Sequence, residues 1–297
     1  MKNFVIIGVG GYIAPKHLKA IKDTNNTLLA AVDKHDSVGI IDKYFPEAAF
    51  FTEFERFDRH VEKLKRQGTF IDYVVVCSPN YLHDAHIRFG LRINADVICE
   101  KPVVLNPWNV DALLDLEKET GKKIFTVLQL RLHPQIIALQ QKILLAIPNK
   151  KLDINLQYIT PRGNWYLNSW KGDVAKSGGI ATNIGIHFFD LLLWIFGAVQ
   201  QNTVIEHTAT KATGKLILQK AVVNWTLSID KNDLPTPINS NVPSVRILNI
   251  DGEIINLSEG FDNLHTIFYS QVLQNSVPAL HEIKPLISLL ADIRNSK

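Results

Sequence analysis

The stretch Asn3-Phe4-Val5-Ile6-Ile7-Gly8-Val9-Gly10-Gly11-Tyr12-Ile13-Ala14 decides the fold. Its first part, through Gly8, is a near-continuous apolar run that reads as a buried strand. Glycines interrupt it before Ile13–Lys22, where apolar side chains recur at helical spacing. Gly8 permits a tight turn, and Gly10 lets a ligand approach the backbone. The helix that follows offers unbonded N–H groups and a positive dipole end to an anion such as a pyrophosphate. Ile13 stands where a third glycine would complete G-x-G-x-x-G, so Gly11 and Ala14 are expected to supply the close packing. Taken alone the turn is weak evidence, because any strand-to-helix turn favours glycine.

Outward from that turn the pattern repeats. Leu28–Asp33, Ala49–Phe51, Asp72–Cys77, Ala95–Glu100 and Ile124–Leu128 read as further strands. Val38–Phe45, Phe54–Lys65, Ala85–Ile93 and Val110–Glu119 read as helices between them. Apolar strands alternating with amphipathic helices predict a parallel sheet covered on both faces, and right-handed crossovers make it doubly wound. After Gln129 the rhythm changes. A helix at Pro134–Ala146, a strand at Leu152–Ile159 and an aromatic, polar stretch at Thr160–Lys176 precede a helix at Ile180–Phe196. Strands at Val199–Thr210, Lys215–Ile229, Val245–Ile250 and Glu253–Leu257 follow, then helices at Leu264–Leu273 and Ile283–Ile293. Consecutive strands without helices between them predict an α+β domain with a mainly antiparallel sheet. The expected domains are 1–124 and 125–297. The loop Asp230–Pro243, with its three prolines, is the expected mobile segment.

Composition narrows the classes. The 297 residues are 46% hydrophobic, enough for a sizeable core. With 32 basic and 29 acidic side chains the formal charge is +3, which excludes a chain-wide polybasic nucleic-acid binder but leaves room for a local basic pocket. Cys77 and Cys99 sit in apolar surroundings without metal-ligand spacing, so two reduced, buried thiols in a cytoplasmic protein are expected, and no metal. The N-terminus lacks a secretory-signal pattern, and the best membrane candidate, Ile184–Phe196, is interrupted by His187 and Asp190.

Four further motifs carry chemistry. Asp33 ends the second strand about twenty residues after the glycines, where an acid accepts hydrogen bonds from ribose hydroxyls. It would repel a 2′-phosphate and so favours NAD over NADP; a helix cap is the competing reading. Cys77-Ser78-Pro79-Asn80-Tyr81-Leu82-His83 ends the strongest strand, at the sheet's carboxyl edge where ligands bind, though Ser, Pro and Asn also form plain turns. Glu100-Lys101-Pro102 ends the fifth strand. Proline confines the lysine backbone to extended conformations, and an amine held at that edge suits proton transfer; an ordinary turn lysine is the alternative. In Gly178-Gly179-Ile180-Ala181-Thr182-Asn183-Ile184-Gly185-Ile186-His187 the Asn183 and His187 side chains are four apart on one helix face, and Gly185 lets something approach closely.

Together, the glycines, S-P-x-x-x-H after the fourth strand, E-K-P after the fifth and G-G-x-A-x-N-x-G-x-H resemble the Gfo/Idh/MocA oxidoreductases in order and spacing. Stretches such as GYIAPKHLKAIKDT, DVICEKP, ITPRGNWYLNSWKGD and ATNIGIHFFD look like the WlbA/WbpB group of that family. Members of that group oxidise the sugar C3 hydroxyl of UDP-N-acetylglucosaminuronic acid for bacterial surface polysaccharide. The resemblance implies a Rossmann domain binding NAD through Gly8, Gly10, Gly11, Tyr12, Ile13, Asp33, Ser78, Pro79, Asn80, His83, Glu100, Lys101 and Gln129. It implies Lys101 as the proton-transfer or hydroxyl-orienting group, with His187 near the reacting hydroxyl. Asn183 stands where many members have aspartate and cannot act as a base. It further implies an open-faced second sheet that assembles dimers or tetramers, with 2-oxoglutarate as a possible second small-molecule partner.

A nucleotide-linked uronate carries a diphosphate and a carboxylate, which suit the planar fork of arginine. Arg131, Arg162 and the point charge Lys171 are the expected anion binders, beside Lys101, Asn183 and His187. Trp165, Tyr166 and Trp170 are expected to stack on sugar or uracil, with loop packing as the competing role. Two other classes remain open: an NAD-dependent glycosidase, and a non-catalytic dinucleotide-binding regulator.

Overall fold

The structure, a computed structural model, describes residues 1–145, 150–235, 244–257 and 263–296. The chain divides into two compact units, Met1–Gln129 with Asp262–Lys284, and Leu130–Phe261 with Pro285–Lys297.

The first unit alternates β1 (Asn3–Ile7), α1 (Ala14–Asp23), β2 (Thr27–Val32), α2 (Ile40–Tyr44), β3 (Ala49–Phe51), α3 (Phe54–Arg66), β4 (Tyr73–Val76), α4 (His83–Arg92), β5 (Asp96–Cys99), α5 (Pro107–Thr120) and β6 (Ile124–Thr126). All pairings are parallel, in the order β3-β2-β1-β4-β5-β6. β4 is buried at every position, as a central strand covered by helices must be. Chain direction across the sheet reverses between β1 and β4, so their carboxyl ends open the crevice where such folds bind ligands.

The second unit contains α6 (Pro134–Leu145), β7 (Leu152–Ile159), the one-turn helices α7 (Trp165–Asn168) and α8 (Val174–Ser177), α9 (Ile186–Phe196), β8 (Val199–His207), β9 (Lys211–Leu218), β10 (Ala221–Ser228), β11 (Val245–Ile250) and β12 (Glu253–Asn256). The sheet order is β12-β11-β7-β10-β9-β8, antiparallel except for the parallel pair β7–β10. The aromatic rings of α9 lie on it: Phe189 meets Trp225 edge-on at 5.3 Å, and Phe188 meets Tyr158 at 5.0 Å. α10 (Leu264–Leu273) belongs to the first unit, and α11 (Leu280–Asn295) closes the described chain.

Two expectations change. The boundary expected at 124/125 would cut β6 from β5, its hydrogen-bonded neighbour; the units keep β6 with the first sheet and add α10 to it. The single strand expected over Lys215–Ile229 is a hairpin, turned at Gln219-Lys220, whose two polar residues break the apolar run. The helical run Val174–Phe196 is long and apolar enough to cross a membrane, yet most of it is buried inside the second unit as a core helix. Of the expected mobile loop, residues 236–243 lie outside the described ones, as do 146–149, where the sixth helix was expected to end.

Gly214 shows how closely the hairpin packs. A Cβ there would lie 2.5 Å from the Thr203 carbonyl oxygen and 2.5 Å from the Trp225 ring. Gly214→Ala is therefore expected to lower unfolding free energy by about 1–3 kcal/mol, the usual cost of overpacking. Urea denaturation would read it, and an unchanged midpoint would contradict the packing.

Candidate active site

In the first unit the glycine turn is fixed by two contacts. Gly8 has φ +89°, and a Cβ on it would lie 2.7 Å from the backbone of Cys77 and Ser78. Gly10 donates its N–H to Asp33 Oδ2 at 2.9 Å, and a Cβ there would press on the same carboxylate at 3.2 Å. His35 N–H donates to Asp33 Oδ1 at 3.0 Å. Asp33 thus closes a local turn and braces the glycines while staying half-exposed, and a carboxylate retains lone pairs for ribose hydroxyls beyond those two bonds. Tyr12 is 97% exposed and Ile13 half-buried, beside Gly11 at the start of α1.

The other expected cofactor residues divide by burial. Ser78 Oγ lies 2.8 Å from His86 Nδ1, and burial pushes the His86 imidazole down to about 4. Pro79 begins a short turn, with Asn80 buried behind it. His83 is buried between two carbonyls, Nδ1 at 2.6 Å from Pro102 O and Nε2 at 2.8 Å from Ser78 O. It ties the Ser78 turn to the Lys101-Pro102 turn, whose peptide bond is cis. The Glu100 side chain points inward to His17 and His265, so only its backbone stands at the strand end. Lys101 is half-buried directly after β5. Gln129 Oε1 is buried with no hydrogen-bond partner among the described residues. A positive-φ glycine against backbone, a braced carboxylate and an unmet amide oxygen at the sheet's carboxyl edge together fit a dinucleotide.

In the second unit the chain between Ser177 and Leu192 is buried except at two positions, Asn183 and His187. Ala181–Gly185 winds as a π-turn ahead of α9, a distortion common at functional sites. Asn183 Nδ2 donates to the Tyr166 hydroxyl at 2.6 Å. Tyr166 is only 3% exposed, so it positions Asn183 and does not stack on a ligand as expected. Gly185 makes way for the sheet, since a Cβ there would lie 2.6 Å from Leu227.

The expected anion binders also divide. Arg131 is half-buried and forms a two-pronged pair with the buried Asp190, Nε–Oδ2 2.8 Å and Nη2–Oδ1 2.6 Å, with Trp194 5.5 Å below the guanidinium. Its fork is occupied by an acid that sequence spacing did not flag. Arg162 is exposed. Lys171 Nζ stands 5.4 Å over the Trp165 ring and 4.9 Å over Trp170; burial, then the nearby Arg162 charge, pushes its ammonium down. Trp165 is 56% exposed. Two neighbouring cations beside the exposed Trp165 and half-buried Trp170 indoles form a surface suited to an anion carrying a flat ring.

The sequence model of an oxidoreductase family's NAD-binding Rossmann fold matches residues 2–128, and that of its C-terminal alpha/beta domain matches residues 150–216. A WlbA (WbpB) dehydrogenase from Thermus thermophilus, solved with NAD and alpha-ketoglutarate, superposes with a TM-score of 0.97 at 44% identity, covering 100% of this chain and 96% of that one. The same enzyme solved with NAD and UDP-GlcNAcA gives 0.96 at 44% identity over the same shares. A putative oxidoreductase of Bacillus subtilis, YteT, is 28% identical over 207 residues, 66% of this chain and 47% of its own length. The chain spans about half the length of the curated relatives it matches.

The Asp33 contacts predict that Asp33→Ala weakens NAD binding by about tenfold, the worth of one charge-assisted hydrogen bond, and narrows the preference over NADP. Titration with both nucleotides would measure it; an unchanged ratio would remove Asp33 from ribose recognition.

Proposed function

The chain belongs to the Gfo/Idh/MocA oxidoreductase family, and from that premise we propose that it is an NAD-dependent dehydrogenase of the sugar C3 hydroxyl of UDP-N-acetylglucosaminuronate. The observation that carries this reading is Asn183 and His187, the two openings in an otherwise buried helical run, in a chain that places Lys101 at a dinucleotide-fitting sheet edge. Bound NAD would accept the hydride leaving C3.

Every other part belongs to this chain's residues. Gly8, Gly10 and the start of α1 bind the pyrophosphate, and Asp33 the ribose. Lys101 takes the hydroxyl proton, so that C3–H and O–H are lost together and a ketone remains. His187 hydrogen-bonds the same hydroxyl. Asn183, held by Tyr166, orients the sugar. Arg162 and Lys171 pair the anionic groups of the sugar nucleotide, with Trp165 and Trp170 as stacking faces. The buried free thiols Cys77 and Cys99 suit a reducing, cytoplasmic compartment. The exposed Ile205 and Ile254 on the edge strands of the second sheet suit assembly through it into dimers or tetramers.

Incubation with the UDP-uronate and NAD, with and without 2-oxoglutarate, tests the reading. A 3-keto sugar nucleotide formed with NADH, or accumulating on 2-oxoglutarate, is expected; free sugar would mark a glycosidase, and no conversion a non-catalytic protein. Lys101→Ala should lower turnover by about 10²–10⁴-fold, the usual worth of a general base, with NAD affinity nearly unchanged. Near-normal turnover would end the assignment of Lys101.

A further inference from the structure

Three buried polar side chains of the first unit have no role in the scheme above. His17 of α1 and His265 and Tyr269 of α10 gather around Glu100, and they are 0%, 3% and 0% exposed. His17 Nε2 lies 3.0 Å and His265 Nε2 3.4 Å from Glu100 Oε1, while His17 Nδ1 lies 2.7 Å from the Tyr269 hydroxyl.

The protons of this group can be placed. Burial pushes the Tyr269 phenol far up, so it keeps its proton and donates it to His17 Nδ1. Burial also pushes His17 down, so the ring is neutral and its single proton sits on Nε2, aimed at Glu100. Burial opposes ionisation of Glu100, but the hydrogen bonds and the electrostatic attraction of His17 and His265 together hold the carboxyl well below the usual carboxylate range. His17, Glu100 and His265 have the donor types of a metal site, yet the hydrogen bonds already satisfy the ring nitrogens that face the carboxylate.

The other carboxylate oxygen, Glu100 Oε2, accepts the Lys101 backbone N–H at 3.2 Å. A chain of hydrogen bonds therefore runs from α10 through α1 to the peptide nitrogen of the lysine. On the far side of Lys101, the Pro102 carbonyl is held by His83 at 2.6 Å.

We propose that His17, His265 and Tyr269 are positioning residues for Lys101, acting through the Glu100 carboxylate that fixes the lysine's backbone. The proposal rests on the reading of Lys101 as the proton-transfer group. A displacement near 1 Å at a reacting group costs about 10²-fold in rate, so a fixed backbone is a catalytic requirement. It makes α10, distant in sequence from the nucleotide fold, part of the proton-transfer apparatus.

The test uses the full chain as Tyr269→Phe, His17→Gln and His17→Leu. NAD affinity, kcat and KM for the UDP-uronate are measured together with reductive methylation of each lysine, read by mass spectrometry. His17→Leu should lower kcat by about 10–100-fold and leave KM and NAD affinity nearly unchanged. His17→Gln, whose amide N–H can serve the same carboxylate, should recover most of that loss. Tyr269→Phe deletes only the hydroxyl that sets the His17 tautomer, so it should fold even if His17→Leu does not, and should lower kcat by about three- to tenfold. Lys101 methylation should rise in the Leu and Phe variants, with other lysines unchanged. Unchanged kcat in Tyr269→Phe, or NAD affinity falling in step with kcat while all lysines gain reactivity, would overturn the proposal. A wild-type protein that leaves the sugar nucleotide unoxidised would end the functional reading instead; an unchanged Lys101 methylation rate in Tyr269→Phe would then still overturn the positioning.

Discussion

The nucleotide edge of the first unit depends on one close approach. The backbone at Gly8 lies against the backbone of Cys77 and Ser78, with no room for a side chain between them. β1 and β4 are neighbours in the sheet, and the chain must turn away from both at that point. Once Gly8 is in place, the next turn carries Gly10 to the Asp33 carboxylate and α1 starts where its N–H groups can face an anion. Ser78 then anchors His83, and His83 anchors the turn that bears Lys101. A single steric constraint thus propagates through four strand ends.

Electrostatics work locally in both units. The whole-chain charge of +3 carries no sign of an anion site. Glu100 is a buried carboxylate held by the ring nitrogens of His17 and His265, at 3.0 and 3.4 Å. Arg131 and Asp190 are a largely buried ion pair; removing either partner would leave an uncompensated charge at a cost of about 3–5 kcal/mol. Arg162 and Lys171 are the opposite case. They are like charges kept near each other, an arrangement with a cost that an anionic ligand would relieve.

Much of this was legible in sequence because it is local. Strand and helix periods, glycine turns and the Asp33, Lys101, Asn183 and His187 positions all follow from short patterns. What was not legible depends on pairing across distance. Arg131 has the chemistry of a ligand binder until Asp190, on another helix, takes both prongs of its fork. Tyr166 has the composition of a stacking residue until its burial turns it into a support for Asn183. Gly185 signals close approach, but not that the approaching group is Leu227 of the sheet. No motif in the sequence marks His17, whose partner Tyr269 lies 252 positions away. Only an E-K-P glutamate that proves too buried to meet a ligand could have hinted at such partners.

Asn183 settles how the chemistry must be divided. An aspartate at this position would accept a hydrogen bond from the Tyr166 hydroxyl and could stand as a second base. Asn183 instead donates to the Tyr166 hydroxyl, which leaves that hydroxyl's own proton free to be donated onward. An amide has no accessible protonation step, so the pair can orient a sugar but cannot remove a proton from it. Under the proposed function, acid–base work then falls to Lys101, assisted by His187. With the lysine as the proposed acceptor, rate would depend on where its amine is held, and its backbone is flanked on both sides by buried hydrogen bonds: Glu100 under His17 and His265, and Pro102 under His83.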